Sequence, residues 1–115
     1  MKTRQVLETK QFYAEIRDQL KKRSLLQEDY DALKRQLAEN PEVGVLLVGT
    51  GGIRKIRLKS SSRGKSGGFR VCYYYCVSGE DIYLLCVFQK NEQENLTAEQ
   101  KRNLKQIVNL IKKGK

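Results

Sequence analysis

The stretch that most constrains the fold is Phe69 to Phe88, FRVCYYYCVSGEDIYLLCVF. Phe69 to Val77 is rich in aromatic and β-branched residues and contains three consecutive tyrosines, which makes it a strongly β-prone segment. Ile82 to Phe88 is apolar at both parities, the pattern of a strand buried on both faces, so it should lie centrally in a sheet. Ser78-Gly79-Glu80-Asp81 between them reads as a hairpin turn. Alternation along the first strand sends Tyr73 and Tyr75 to one face and Tyr74 to the other, with Arg70. Tyr73 and Tyr75 read as core. For Tyr74 two readings stand side by side: core packing, or a ring that stacks on an unpaired base.

Before this block the chain reads as strand, helix, helix. Thr3 to Leu7 alternates weakly and predicts a short first strand. Thr9 predicts an N-cap, with Leu7 and Tyr13 placed for a hydrophobic staple. Phe12, Ile16 and Leu20 then recur every four residues along one helical stripe. A second helix is predicted from about Leu25 to Glu39, with Leu26, Tyr30, Leu33 and Leu37 on its buried face, and Asn40-Pro41 stops it. Acids crowd its first turns and bases follow, which suits the helix dipole. Val43 to Val48 reads as an extended connection or a short strand. After the sheet, Leu96-Thr97-Ala98-Glu99-Gln100 is a capping box that opens a last helix to about Lys113, with Leu104, Ile107, Val108 and Ile111 on its apolar face.

The remaining segment, Gly49 to Arg70, carries the charge. A glycine turn leads into Ile53-Arg54-Lys55-Ile56-Arg57-Leu58-Lys59, followed by a Ser/Gly loop that holds Arg63 and Lys65. From Ile53 to Arg70 there are seven cations and no acid, in a chain of net charge +10. Period-two alternation turns Ile56 and Leu58 to one side and Lys55, Arg57 and Lys59 to the other. A row of cations on a strand usually means a solvated edge face that deters edge pairing. Here no acid is interleaved, and the loop and Arg70 extend the row with the same sign. That points to a polyanion, nucleic acid first, with an anionic membrane or an acidic protein next.

Composition closes several other routes. At 115 residues the chain is one domain, and its pI near 9.7 agrees with a nucleic-acid partner. No apolar run is long enough to span a bilayer and the N-terminal residues lack a secretory pattern, so a cytoplasmic location is expected. Cys72, Cys76 and Cys86 lie in apolar strand sequence and read as buried thiols. Histidine is absent, so acid–base chemistry falls to Lys, Arg, Tyr or a carboxylate, and no metal or other cofactor is implied. Gly64-Lys65-Ser66 is not a nucleotide-binding loop, because Lys59 stands where that motif needs a glycine and a strand follows instead of a helix. Likewise, Arg54 stands where a dinucleotide fingerprint needs its last glycine.

Taken together, GTGGIRKIRLK, the basic loop, GGFRVCYYY, IYLLCVFQKNE and LTAEQKRNLKQI, in this order of elements, resemble the RelE/HigB-like toxins of bacterial toxin–antitoxin modules. Within the RelE/ParE superfamily the chain looks most like the HigB branch, with its Gly-Gly-x-Arg-Lys-x-Arg strand and its Lys-Asn-Glu after the last strand. The resemblance covers nearly the whole chain and is strongest from Gly49 to Glu92. It implies a small microbial-RNase-like α+β domain: an antiparallel-rich sheet of about four strands, an N-terminal helical hairpin and a C-terminal helix. It also implies ribosome-dependent mRNA cleavage in the decoding site by attack of a ribose 2′-OH on the adjacent phosphate, without metal. The implied partners are mRNA in the ribosomal A site, ribosomal RNA and a cognate antitoxin of helix-turn-helix type.

By the same resemblance, the family's basic catalytic residues fall on Lys55, Arg57, Arg70 and Lys90. Arg54, Lys59, Arg63, Lys65, Tyr74 and Asn91 are candidates for RNA or ribosome contact. Some relatives carry an arginine where Asn91 stands and a tyrosine near Leu96-Thr97, so the general acid stays unassigned. Lys55, flanked by Arg54 and Arg57, is the first candidate for the base, because neighbouring positive charge favours a neutral amine. Arg57 and Arg70 suit phosphate clamping, since guanidinium binds oxyanions bidentately. Lys90 would neutralise the phosphate or the leaving oxygen. Two other functions remain open: a non-catalytic RNA- or ribosome-binding module, and a ParE-like gyrase inhibitor, which the dense basic strand disfavours.

Overall fold

The computed structural model describes residues 4–61, 68–90, 93 and 95–114. The elements run β1 (Gln5–Glu8), α1 (Lys10–Lys21), α2 (Gln27–Glu39), β2 (Val45–Leu46), β3 (Ile53–Leu58), β4 (Phe69–Cys76), β5 (Asp81–Gln89) and α3 (Ala98–Lys113). They form the expected α+β domain. The sheet has five strands, ordered β1-β5-β4-β3-β2. The fifth is β2, where Val45 pairs with Lys55 and Leu46 with Arg54. So short an edge strand leaves little alternation to read. β1 runs parallel to β5 and every other pair is antiparallel.

Both faces of the sheet are buried, and the alternation along β4 divides two cores. Phe69, Val71 and Tyr73 join Leu58, Ile82 and Leu84 beneath the helical hairpin, against Phe12, Ile16, Tyr30, Leu33 and Leu37. Cys72, Tyr74 and Cys76 face the other way and meet Ile53, Leu85, Leu96, Leu104 and Val108 of the α3 layer. The three cysteines are buried thiols. Cys72 lies opposite Cys86 across the β4/β5 pair, and the neighbouring thiol together with burial pushes Cys86 well above the usual thiol range.

The hairpin's junctions explain where its helices begin. Thr9 caps α1 by accepting the Phe12 N–H at 3.4 Å, and its hydroxyl donates to the Leu84 carbonyl at 2.9 Å. Tyr13 does not turn inward to a staple: it is 53% exposed, with the Arg17 guanidinium 4.9 Å from its ring centre. α2 starts at Gln27 rather than Leu25. Leu25 is buried in the connection ahead of it, while Leu26, in the cap position, is only half-buried. Tyr30 donates to the Glu8 carboxylate and so ties α2 to β1. Burial and that carboxylate both hold the phenol protonated far into the alkaline range.

Two further contacts set the geometry of the sheet edges. α1 runs beside β5 where β1 has ended, and Glu15 accepts the Val87 N–H at 3.0 Å, satisfying a backbone group that no strand covers. Burial raises this carboxyl above the usual carboxylate range. At the opposite side, Tyr73 donates to the Pro41 carbonyl at 2.8 Å and accepts the Gly44 N–H at 2.9 Å. A Cβ at Gly44 would lie 2.6 Å from the Tyr73 hydroxyl and 2.9 Å from the Lys55 carbonyl, so only glycine fits there.

Gly44→Ala is therefore expected to lower stability by about 1–3 kcal/mol in a denaturant titration, and an unchanged midpoint would show that this close approach does not exist. Glu15→Gln keeps an acceptor for Val87 and removes a charge that burial penalises. A raised carboxyl contributes stability at low pH that is lost as pH rises through its folded value. The variant's stability relative to the parent is thus expected to be higher at pH 7 than at pH 4 by thermal melting; the opposite trend would contradict the burial assigned to Glu15.

Candidate nucleic-acid interface

Cross-strand register decides which cations share a face. β3 and β4 pair Ile53 with Tyr74, Lys55 with Cys72, and Arg57 with Arg70. β4 and β5 continue the rows, placing Phe88 beside Arg70 and Cys86 beside Cys72. Ile53, Cys72 and Tyr74 belong to the α3-side core, so Lys55, Arg57 and Arg70 lie on that same face. α3 covers only part of it. Lys112, near the end of α3, donates to the Gly51 carbonyl at 3.0 Å and pins that end of the helix over the start of β3. The row Arg57–Arg70–Phe88 lies at the other end of the strands.

Two arginines directly opposite one another are an unfavourable pair. Cross-strand Cβ atoms stand about 4.5–5.5 Å apart, and like charges at that spacing destabilise a sheet. Arg57 is exposed and makes no hydrogen bond or ion pair among the described residues. Arg70 is half-buried and donates to the Phe69 carbonyl at 3.3 Å. Lys55 lies two residues from Arg57 on the same face, and its ammonium donates to the Asn95 side-chain oxygen at 3.1 Å. Lys90 follows β5 directly and is exposed. Its N–H donates to the Gly68 carbonyl at 3.3 Å, which sets it across from the start of β4. Gly68 has φ +61°, and a Cβ there would lie 2.7 Å from the Leu58 carbonyl, so the chain can return along Leu58 only through glycine. The result is a surface of four basic side chains from two strands and the turn after β5, a setting suited to an oxyanion.

The model of the RelE toxin of the RelE/RelB toxin–antitoxin system matches residues 4–114. The chain belongs to the RelE toxin family. Among solved structures it is similar to a free-state form of the E. coli toxin RelE in which two arginines are replaced by alanine. That likeness has 18% identity and a TM-score of 0.52, and it covers 81% of this chain and 90% of the other. At that identity it shows a shared fold.

The other predicted contact residues of this RelE-family chain fall in different places. Arg54 turns to the hairpin side. It donates to the carbonyls of Gly44 at 2.8 Å and Glu42 at 3.1 Å and pairs with the Glu42 carboxylate at 3.6 Å. Tyr74 shares the Arg70 face, as alternation predicts, but its ring is only 9% exposed beneath α3, with the Lys112 ammonium 5.8 Å from its centre. Of its two readings, this placement is core packing. Lys59 is exposed just past β3. Arg63, Lys65 and Asn91 lie outside the described residues. Among those described, no three His, Cys, Asp or Glu side chains converge as a metal site, and no helix is long and apolar enough to cross a membrane. Asn95 was not singled out by sequence. It is a lone amide in a polar run, and only the fold brings it to Lys55.

Because the Arg57–Arg70 juxtaposition costs the free protein energy, Arg57→Thr is expected to leave the melting temperature unchanged or raised. The same variant is expected to weaken RNA binding and to lower the salt slope of binding by about one unit. A large loss of stability would show that Arg57 serves packing.

Proposed function

We propose that this RelE-family chain is the toxin of a toxin–antitoxin module and acts as a ribosome-dependent mRNA endonuclease. The observation that carries the reading is the direct cross-strand pairing of Arg57 with Arg70 on the face that also holds Lys55. The register holds two guanidinium groups close together at a cost that a bound anion relieves, and a phosphodiester fits their fork geometry.

The chemistry follows from which groups can move protons. Arginine stays charged, so Arg57 and Arg70 hold the scissile phosphate and stabilise the charge of the pentavalent transition state. Lys55 takes the proton of the ribose 2′-OH, with its amine oriented by Asn95. The 2′-oxygen bonds to phosphorus as the P–O5′ bond breaks. The products are a 2′,3′-cyclic phosphate and a 5′-hydroxyl, whose oxygen leaves beside Lys90 and gains a proton there or from water. The HigB-type placement rests on the Gly51-Gly52-x-Arg54-Lys55-x-Arg57 strand and on Lys90-Asn91-Glu92. A cognate antitoxin would neutralise the toxin by covering this +10 protein's basic face, most directly with acidic segments, in the cytoplasm where ribosomes work.

Primer extension on cellular mRNA after induction is expected to show cuts in phase with codons, only in translated messages. Growth arrest without such cuts would favour a binding module, and DNA damage in their place would favour a gyrase inhibitor. On purified ribosomes, a message with a 2′-deoxy nucleotide just 5′ of the scissile phosphate is expected to resist cutting. Cutting of that message at the normal rate would exclude 2′-OH attack.

A further inference from the structure

The Arg57–Arg70 row does not end at β4. Phe88 of β5 is the cross-strand partner of Arg70 and lies half-buried on the same face. Beside Phe88, between α1, β5 and the first turns of α3, is a cavity of about 100 Å³ lined in part by Gln11, Glu15, Phe88, Gln100, Asn103 and Leu104. Among the described residues no cation lines it, which sets it apart chemically from the Arg57–Arg70 row that it adjoins.

The wall groups are placed for recognition. Glu15 Oε1 accepts the Val87 N–H at 3.0 Å and Oε2 accepts the Gln11 amide at 3.2 Å. A carboxylate oxygen has two acceptor sites, so each retains capacity for a ligand donor. Gln100 is held rigid: its side-chain oxygen accepts the Thr97 N–H at 2.9 Å and the Gln93 amide at 2.9 Å. Asn103 is exposed and makes no hydrogen bond among the described residues. Whole small-molecule sites run to about 300–1,000 Å³, so this cavity suits one flat heterocycle rather than a heterocycle with its sugar and phosphate. A phosphate would also meet the Glu15 carboxylate, whereas an aromatic ring gains from Phe88.

We propose that the cavity between α1, β5 and α3 receives one unpaired nucleobase of the RNA, seated against Phe88 and read through its N–H donors by Glu15. The phosphate neighbouring that base lies on Arg57 and Arg70. The proposal rests on the endonuclease reading and adds a base-selecting site to it. A carboxylate accepts only from amino and imino groups, so it ranks bases by the donors on their edges. Burial raises Glu15 above the usual carboxylate range, and an arriving N–H donor favours the charged form and offsets that penalty.

The test uses purified protein and ribosomes programmed with messages that carry each base in turn at each position of the A-site codon. The parent protein is expected to cut some bases faster than others. Glu15→Gln, which keeps the Val87 acceptor, is expected to change the ratio of rates between bases by about tenfold. Asn103→Trp, at an exposed helical position, narrows the mouth of the cavity without touching the core and is expected to flatten the preference. If both variants keep the parent's ratios, the pocket proposal is overturned. If the parent cuts no message, the endonuclease reading fails, and binding then decides the pocket. An abasic site in a short bound RNA should weaken the parent and not Asn103→Trp if the cavity holds a base; equal effects on both would overturn it.

Discussion

Arg57 and Arg70 stand side by side across β3 and β4, and the rest of the sheet holds them in that register. Neither strand can slip. A shift of one residue would turn Phe69, Val71 and Tyr73 away from the hairpin core and Cys72 and Tyr74 away from the α3 core. Burying those side chains stabilises the sheet far more than the repulsion between the two guanidinium groups destabilises it, so hydrophobic packing enforces an electrostatically unfavourable contact. In the proposed reaction this unfavourable contact prepares the surface for a phosphate. An anion that arrives gains attraction to both groups and relieves their mutual repulsion, with no reorganisation of the backbone.

The two layers on the sheet divide the remaining work. The hairpin side serves as scaffold: Arg54 is tied to the carbonyls of Glu42 and Gly44, and Tyr73 to Pro41 and Gly44. The α3 side is half open. Leu104 and Val108 cover the middle of the face, Lys112 pins the far end, and the segment before the helix brings Asn95 to Lys55. Lys55 and Arg54 are neighbours in sequence with the same charge, yet the pleat gives one to the face of the Arg57–Arg70 row and the other to the scaffold.

Much of this was legible in the sequence because it follows from periodicity. The parity of Ile56 and Leu58 against Lys55 and Arg57 places the cations on one face, and the parity of the tyrosines assigns Tyr73 and Tyr75 to the hairpin core. The caps at Thr9 and Thr97 are local and were equally readable. What sequence does not carry is pairing over distance. The Arg57–Arg70 register depends on where β4 begins, which Gly68 sets through its left-handed backbone. The burial of Tyr74 depends on where α3 lands. The extra edge strand at Val45–Leu46 depends on a turn closed by Thr50, whose hydroxyl donates to the Leu47 carbonyl at 2.6 Å and accepts the Ile53 N–H at 3.1 Å. The cavity at Glu15 and Phe88 joins residues far apart in the chain and shows no motif.

The most direct measurement is the single-turnover rate of mRNA cleavage on programmed ribosomes, at saturating protein, for the Arg57→Ala/Arg70→Ala double variant and its parent. Loss of one preorganised oxyanion donor costs about a hundredfold or more in rate, so the double variant should be slower by at least that factor while remaining folded and still binding ribosomes. A double variant that cuts at the parent's rate would contradict the account.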